Sequence, residues 1–370
     1  MVKVLHLVKY FHPYKGGVES VVGDIVENFS SVNDDIRFTV YANSHFSAFS
    51  SSIVRHSNYE VYIKGNLFFF KNQPLRIWYR ELKELIETHD IIHLHHPYPN
   101  VELSLLRFLY TLRGKKFIIT WHASVDSTRW KFVSSMYYFL TKRILKSAHH
   151  IVITSPATLH STSVLKNYNE KIVVIPLSFP KKFTFDIQEK TFPRKPYSLL
   201  FVGNLRAYKG VSVLLKAIID LDVVLSIVGD GPEFRALSDL VRVNGITDKV
   251  RFKRNLSDDE LKDEYLKADL FVLPSISEAE AFGVVQLEAL AAGLPVINTN
   301  LNSGVPHVSI HGLTGFTVSP NNIAEMSNAI MKIFELEERY LAFSFNAYTR
   351  SKMFSTEKML QEYSKIYNLN

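Results

Sequence analysis

Short apolar runs alternate with longer amphipathic stretches along most of this chain. The runs at 2–8, 36–41, 91–95, 116–121, 151–154 and 171–175 predict buried strands, with helical spacing at 18–29 and 75–87 between them. The rhythm then repeats, with strands at 198–202, 223–228, 249–252, 270–274 and 295–299 and helices at 214–220 and 232–244. Near-continuous hydrophobicity marks strands buried on both faces, and strand–helix–strand order predicts parallel sheets covered by helices. Occurring twice, the pattern predicts an α/β protein with two doubly wound, Rossmann-like domains.

Residues 178–197 break the rhythm with prolines and charges. The reading is a first domain over 1–180, a linker over 181–197 and a second domain over 198–354. The segment 355–370 then carries an amphipathic helix, capped by Ser355, that crosses back to the first domain. No run of about 18 apolar residues occurs, so no spanning helix is expected. Residues 1–8 read as a strand rather than an export signal, which suits a cytoplasmic chain.

Composition narrows the chemistry. The chain has 370 residues, 46% hydrophobic and 21% charged, which excludes wholesale disorder. It has no cysteine, so disulfides, thiolate metal sites and a cysteine nucleophile are excluded. The net charge of +7 is uneven: residues 1–185 hold 23 Lys+Arg against 13 Asp+Glu, a net of +10, and the remainder carries −3. An anionic partner for the first half is implied, whether nucleic acid, an anionic membrane or a diphosphate substrate.

Several segments can carry chemistry. Gly16 and Gly17 lie between a strand and a helix, where backbone can approach an anion at the helix start; a plain turn would read the same. His93, His95 and His96 cluster at a strand end. Successive strand residues face opposite sides, and no carboxylate stands nearby in sequence, so packing and substrate-cleft roles are favoured over a metal. His122 falls at the carboxyl end of a strand, where a doubly wound sheet binds ligands. An imidazole there can hydrogen-bond a sugar hydroxyl or move a proton. The serine-rich run 44–52 reads as a mobile loop.

In the second half, Gly203, Asn204, Arg206, Lys209 and Gly210 form a glycine turn with two cations, a means of neutralising phosphate. Gly229, Asp230, Gly231 and Pro232 make another tight turn. Glu280 and Glu288 flank a loop and a helix start. One carboxylate can meet a sugar near its reacting carbon, and the other can accept from a vicinal diol such as ribose.

With these residues the chain resembles the retaining GT-B glycosyltransferases of family 4, in which two such domains face each other across a cleft. The resemblance rests on Gly16-Gly17, His95-His96-Pro97, Trp121-His122, Lys209-Gly210, Gly229 to Pro232, Glu280 to Glu288, and Gly304-Val305-Pro306 through Gly315. Within the family it looks like bacterial mannosyl- and rhamnosyltransferases that build O-antigen or capsule on a lipid diphosphate. The resemblance implies catalytic roles for His122, Glu280 and Lys209. It places Lys209 and Gly16-Gly17 against the donor diphosphate, Glu288 on the ribose and the base near Arg254 and Asn255. Asn204, Arg206 and Gly229 also line the donor site. Glu280 and the backbone from Ala281 through Phe282 and Gly283 to Val284 hold the sugar and phosphate. It implies no metal and no cofactor. Three positions depart from the pattern. Asn204 stands where an arginine is usual, with Arg206 two residues on, and Ser124 and His307 replace acidic residues and bear on acceptor or sugar choice.

The implied partners are a nucleotide-sugar donor, with GDP-mannose ahead of UDP- and dTDP-sugars, and a lipid-diphosphate-linked saccharide acceptor. A basic amphipathic stretch at 129–149 alternates Trp130, Val133, Tyr137, Leu140, Ile144 and Leu145 with Arg129, Lys131, Lys142, Arg143 and Lys146. It reads either as a core-facing helix with a basic outer face or as a contact with the inner leaflet of the plasma membrane, a contact that 103–116 could make instead. A nicotinamide-dependent oxidoreductase would need G-x-G-x-x-G after the first strand, which Gly16-Gly17 does not supply. A GT-B nucleotide-sugar epimerase keeps the same fold and remains an alternative. Binding to nucleic acid would leave Glu280, Glu288 and Lys209 unexplained, and no nucleic-acid motif is present.

Overall fold

The computed structural model describes residues 1–370 except 15, 30–31, 45–50, 67, 71–72, 76–79, 123–130, 186–189 and 369–370. Most of the serine-rich 44–52 run, together with Ser124, Arg129 and Trp130, therefore lies outside the described residues. So do the side chains of Lys131, Val133 and Leu140. The chain forms two compact units, Met1–Leu177 with Thr356–Asn370, and Ser178–Ser355.

The first unit is built on eight strands: β1 (Val2–Leu7), β2 (Ile36–Asn43), β3 (Ser52–Arg55), β4 (Tyr59–Lys64), and, after a small β5–β6 hairpin (Phe68–Phe70, Gln73–Leu75), β7 (Ile91–His96), β8 (Lys116–Trp121), β9 (His150–Ile153) and β10 (Ile172–Val174). Their order is β10-β9-β8-β7-β1-β2-β4-β3, parallel except for β3 at the edge. Strand order reverses between β1 and β7, the switch point at which crossovers leave on opposite faces and open a crevice. His6 of β1 registers with His93 of β7, and His95 registers with Thr120 of β8. The helices are α1 (Gly17–Asn28), α2 (Arg80–Thr88), α3 (Pro99–Arg107), α4 (Lys131–Ser147) and α5 (Pro156–Ser161). Leu5, Leu7, Ile92, Leu94, Phe117 and Ile119 sit at the centre of the core, which explains why these strands read as unbroken apolar runs.

The second unit holds β11 (Tyr197–Val202), β12 (Val223–Val228), β13 (Val250–Lys253), β14 (Leu270–Val272), β15 (Val296–Thr299) and β16 (Gly315–Val318) in the order β13-β12-β11-β14-β15-β16, all parallel. Its switch point lies between β11 and β14. Its helices are α6 (Val211–Ala217), α7 (Phe234–Val243), α8 (Asp258–Lys267), α9 (Val285–Ala291), α10 (Val305–Val308), α11 (Ile323–Ile333) and α12 (Glu337–Ser351). A capping box, in which the Ser257 hydroxyl accepts from the Glu260 amide while the Glu260 carboxylate accepts from the Ser257 amide, starts α8.

The division falls at Leu177/Ser178, and described residues of the 181–197 stretch pack on the second unit. Phe183 and Phe185 are buried against Tyr265, and Lys190 Nζ donates to the carbonyls of Leu266 and Ala268. The last helix, α13 (Thr356–Tyr367), belongs to the first unit, where Tyr363 and Tyr367 are fully buried. Of the helix expected over 75–87, the described part is α2 from Arg80, while Leu75 pairs in β6 and 76–79 lie outside the described residues. The one expected over 214–220 begins three residues earlier, directly after Gly210. Among the described residues no helix is long and apolar enough to cross a membrane.

Candidate active site

In the second unit the loops at the carboxyl ends of β11 and β14 meet beside the switch point. The Ile276 amide donates to the Tyr208 carbonyl, tying them together. Gly210, with φ of +65°, closes the first loop. A Cβ there would fall 2.1 Å from the Pro274 carbonyl oxygen, so only glycine lets the strands' ends approach this closely. The result places Lys209 Nζ 2.5 Å from Glu280 Oε2, with both side chains about nine-tenths buried. Ser275 Oγ donates to the same carboxylate oxygen at 3.0 Å, and Lys209 Nζ also lies 5.5 Å from the centre of the Tyr208 ring. The two expected catalytic residues of this unit thus form one corner.

Downstream of Glu280 the chain turns into α9. Gly283 has φ of +72°, and a Cβ would meet Leu273 and Gln286 within 2.8 Å. Gln286 is fully buried. It donates to the Phe282 carbonyl and accepts from Asn298 Nδ2 at 2.9 Å, while Asn298 also donates to the Val305 carbonyl. This amide pair ties β15 and the start of α10 to the loop after Glu280. Within it, the amides of Ala281, Phe282, Gly283 and Val284 donate to no acceptor among the described residues. Four N–H groups beside an ammonium can receive an anionic oxygen.

Glu288 lies in the first turns of α9. Tyr265 Oη donates to its Oε2 at 2.6 Å, and burial pushes its carboxyl up to about 7. Its hydrogen-bonding capacity is therefore partly engaged by the protein. Gly229 and Gly231 bring the β12 loop against the β11 loop, where a Cβ on Gly229 would lie 2.0 Å from the Gly203 carbonyl oxygen. Asn204 and Arg206 are exposed on that loop. Arg254 pairs with Asp230 and stacks on Phe234, and Asn255 follows it with φ of +55°. His307, in α10, has a half-buried ring.

In the first unit, Gly16 caps α1 and Gly17 begins it. The carboxylate of Glu19 folds back over Gly16, so that a Cβ on Gly16 would lie 2.2 Å from Glu19 Oε2. Burial raises the Glu19 carboxyl, and burial lowers the Lys9 ammonium close by. A carboxylate of the chain itself already serves this helix start. Gly17 faces open space.

The histidines of β7 part to opposite faces. His96 Nδ1 meets Glu102 Oε1 at 3.0 Å, and its ring stacks on Trp121 at 3.6 Å. Glu102, which also accepts from the Tyr98 amide and from Tyr137, is a carboxylate only six residues downstream, correcting the expectation that none stands nearby. His93 and His95 join His6 and His122 on the other face. His122 Nε2 lies 2.9 Å from His95 Nδ1, and His95 Nε2 lies 2.9 Å from His6 Nδ1. His6 Nε2 is 3.4 Å from Tyr367 Oη, which is 2.6 Å from His93 Nδ1; His93 Nε2 meets Thr120 Oγ1 at 2.7 Å. One donor atom each from His6, His93 and His95 lies within 4.8 Å of the others, a spacing that could hold a metal ion. All six ring nitrogens of that trio are already engaged by hydrogen bonds, so an ion would have to displace them. Burial drives these rings neutral, His6 and His122 to about 3.

His6, Tyr367, Tyr265, Ser275, Gln286 and Asn298 were not identifiable from sequence. Each lies far along the chain from its partner or carries no motif.

Two doubly wound units with polar and ionic groups at the carboxyl ends of their strands have the architecture of a GT-B glycosyltransferase. Residues 15–179 match the Glycosyltransferase Family 4 profile and residues 182–350 that of glycosyl transferases group 1. The chain belongs to this family and is a hexosyltransferase. It is 28% identical to the D-rhamnosyltransferase WbpZ of Pseudomonas aeruginosa over 96% of this chain and 92% of that one. It is 26% identical to the O-antigen chain mannosyltransferase C of Escherichia coli, covering 99% and 98%. The crystal structure of Anabaena HepE in complex with UDP superposes with a TM-score of 0.75 at 18% identity, covering 98% of this chain and 99% of that one.

Proposed function

We propose that the chain transfers a hexose, mannose from GDP-mannose as first candidate, with retention of configuration onto a lipid-diphosphate-linked saccharide of O-antigen or capsule assembly. The Lys209–Glu280 corner beside the switch point, with the amides of 281–284 unspent, carries this reading. When the C1–O bond of the donor breaks, charge develops on the leaving diphosphate. In this reading Lys209 and those amides stabilise it, while Glu280, which holds the ammonium, binds the sugar. Glu288 accepts from the ribose, Arg206 takes the place of the arginine absent at Asn204, and His122 contacts the sugar. The names of two relatives, a rhamnosyltransferase and a mannosyltransferase, support a manno-configured sugar, since D-rhamnose is mannose lacking its 6-hydroxyl.

A thermal-shift panel of GDP, UDP and dTDP tests the donor. The cognate nucleotide at a hundredfold excess over Kd adds about 2.7 kcal/mol of stability. No response to any of the three overturns the donor site, and a response to UDP or dTDP alone overturns GDP-mannose. The anomeric coupling of the product, read by NMR, tests retention.

The first unit is proposed to dock on the inner face of the plasma membrane. On α4, Phe139 is 71% exposed beside exposed Lys142, Arg143 and Lys146; on α3 and the turn after it, Leu103, Arg107 and Tyr110 are exposed at helical spacing. Each cation near an anionic leaflet contributes roughly 1 kcal/mol. Flotation with phosphatidylglycerol vesicles at low salt checks this. Neutralising Lys142, Arg143 and Lys146 is expected to abolish it, and unchanged flotation overturns docking through α4.

A further inference from the structure

We infer that Tyr363 and Tyr367 of the last helix are positioning residues that fix the tautomer of His122, acting through a directional chain of buried imidazoles. The inference rests on the proposed sugar contact of His122 for its purpose, but not for its geometry. Six hydrogen-bond contacts run without a gap: His122 to His95, His95 to His6, His6 to Tyr367, Tyr367 to His93, His93 to Thr120, and Thr120 Oγ1 to Tyr363 Oη at 3.3 Å. The rings and hydroxyls are buried, His122 being the most accessible at 8%.

Counting hydrogens sets the direction. Four neutral imidazoles carry one N–H each, and the three hydroxyls one O–H each, seven hydrogens for six contacts. If His122 places its hydrogen on Nε2 and donates inward, all seven compete for the six contacts. One hydroxyl hydrogen is then orphaned in the interior. If the chain runs the other way, Tyr363 donates to Thr120, Thr120 to His93, His93 to Tyr367, Tyr367 to His6, His6 to His95 and His95 to His122 Nε2. Every interior hydrogen is then used, and the seventh sits on His122 Nδ1, which has no partner among the described residues. Leaving a buried donor unpaired disfavours the first arrangement by roughly tenfold or more in population. The chain therefore presents His122 as an N–H donor from Nδ1, suited to a sugar hydroxyl or ring oxygen, and withholds a basic nitrogen from the reacting carbon. The neutral state fits the burial of all four rings.

The test uses the full chain, labelled with 15N in its histidine rings, without substrate. Long-range 1H–15N NMR separates pyrrole-type from pyridine-type nitrogens, and the His122→Gln spectrum assigns the His122 signals. The expected result is a pyrrole-type Nδ1 and a pyridine-type Nε2 on His122, unchanged between pH 5 and 8. In Tyr367→Phe, which keeps the ring and removes the O–H, the His6, His95 and His122 ring signals should move while the amide spectrum stays folded. Transfer efficiency (kcat/KM) should fall about fivefold, the population shift that one lost hydrogen bond allows. A pyrrole-type Nε2 on His122 in the unsubstituted protein overturns the inference. So does a folded Tyr367→Phe whose histidine ring signals do not move. Should Tyr367→Phe fail to fold, the first measurement decides alone. Because the ring signals are read without donor or acceptor, a wrong substrate assignment leaves this test intact.

Discussion

Two buried polar clusters sit beside the switch points of the two sheets, and they solve the cost of burial differently. In the second unit the cluster is ionic: Lys209 and Glu280 neutralise each other at 2.5 Å, with Ser275 as a third partner. In the first unit it is neutral: four uncharged imidazoles are satisfied by hydrogen bonds, His6, His95 and His122 with one another and His93 with Tyr367 and Thr120. A buried ion pair is costly unless its geometry is close and further hydrogen bonds satisfy it, as Ser275 does here, and it keeps charge at the place proposed for the diphosphate. A neutral chain keeps its geometry without any ligand, which suits a group that must point one way. The comparison teaches that one fold can bury polar groups in two ways, by pairing opposite charges or by keeping every group neutral and hydrogen-bonded.

The largest effect should break the ionic cluster. Lys209→Ala and Glu280→Ala are each expected to lower kcat about 10²–10³-fold. Circular dichroism should stay native, and activity within twofold of the unsubstituted protein would remove the corner from the reaction. On the neutral side, His122→Ala should cost about tenfold in kcat/KM, the size of the one sugar hydrogen bond proposed for it, and distinctly less than Lys209→Ala. Equal losses would erase the contrast between the two clusters.

Glu288 gives a third test, intermediate in size. Its folded carboxyl lies at about 7 against an ordinary 4.5, because burial disfavours the charged form. The folded chain thus binds this proton more tightly than the unfolded chain does. That stability is fully present below pH 4.5 and is lost as pH rises through 7, amounting to at most ~3 kcal/mol. Glu288→Gln should flatten the urea midpoint over this window, and an unchanged slope would show that another group carries it. If Glu288 holds the ribose as proposed, the same substitution should raise the donor KM more than it lowers kcat, since that contact is remote from the bond being broken.

Smaller effects calibrate the rest. Gly210→Ala should cost about 1–3 kcal/mol in stability, from its left-handed backbone and the overlap with Pro274. It should lower activity with it, because Lys209 is the preceding residue. Ser257→Ala removes only the cap of α8 and should cost about 1 kcal/mol in denaturant unfolding with kcat unchanged.

Most of what was legible in the sequence is local. Buried parallel strands announce themselves as apolar runs, so β1, β7, β8, β11 and β12 could be placed within a residue or two. The strands β3, β4 and β16 could not, because a partly or wholly exposed strand lacks that signature. The capping box at Ser257 and Glu260 is a local signal of the same kind, since its residues are only three apart. Glu280, Lys209 and the Gly283 turn were legible because each sits in a short loop directly after a strand, where residue type and backbone freedom suffice. Only the tertiary structure decided which of them meet. Lys209 and Glu280 are 71 positions apart and touch because β11 and β14 pair at the switch point. The imidazole chain depends on more still. Strand register sets His6 beside His93 and His95 beside Thr120, and a helix more than two hundred residues downstream supplies Tyr363 and Tyr367. Hydrophobic periodicity selects the faces that are buried, since it acts through neighbours along the chain. The partners of a buried polar group are chosen by packing across strands, which no local pattern encodes.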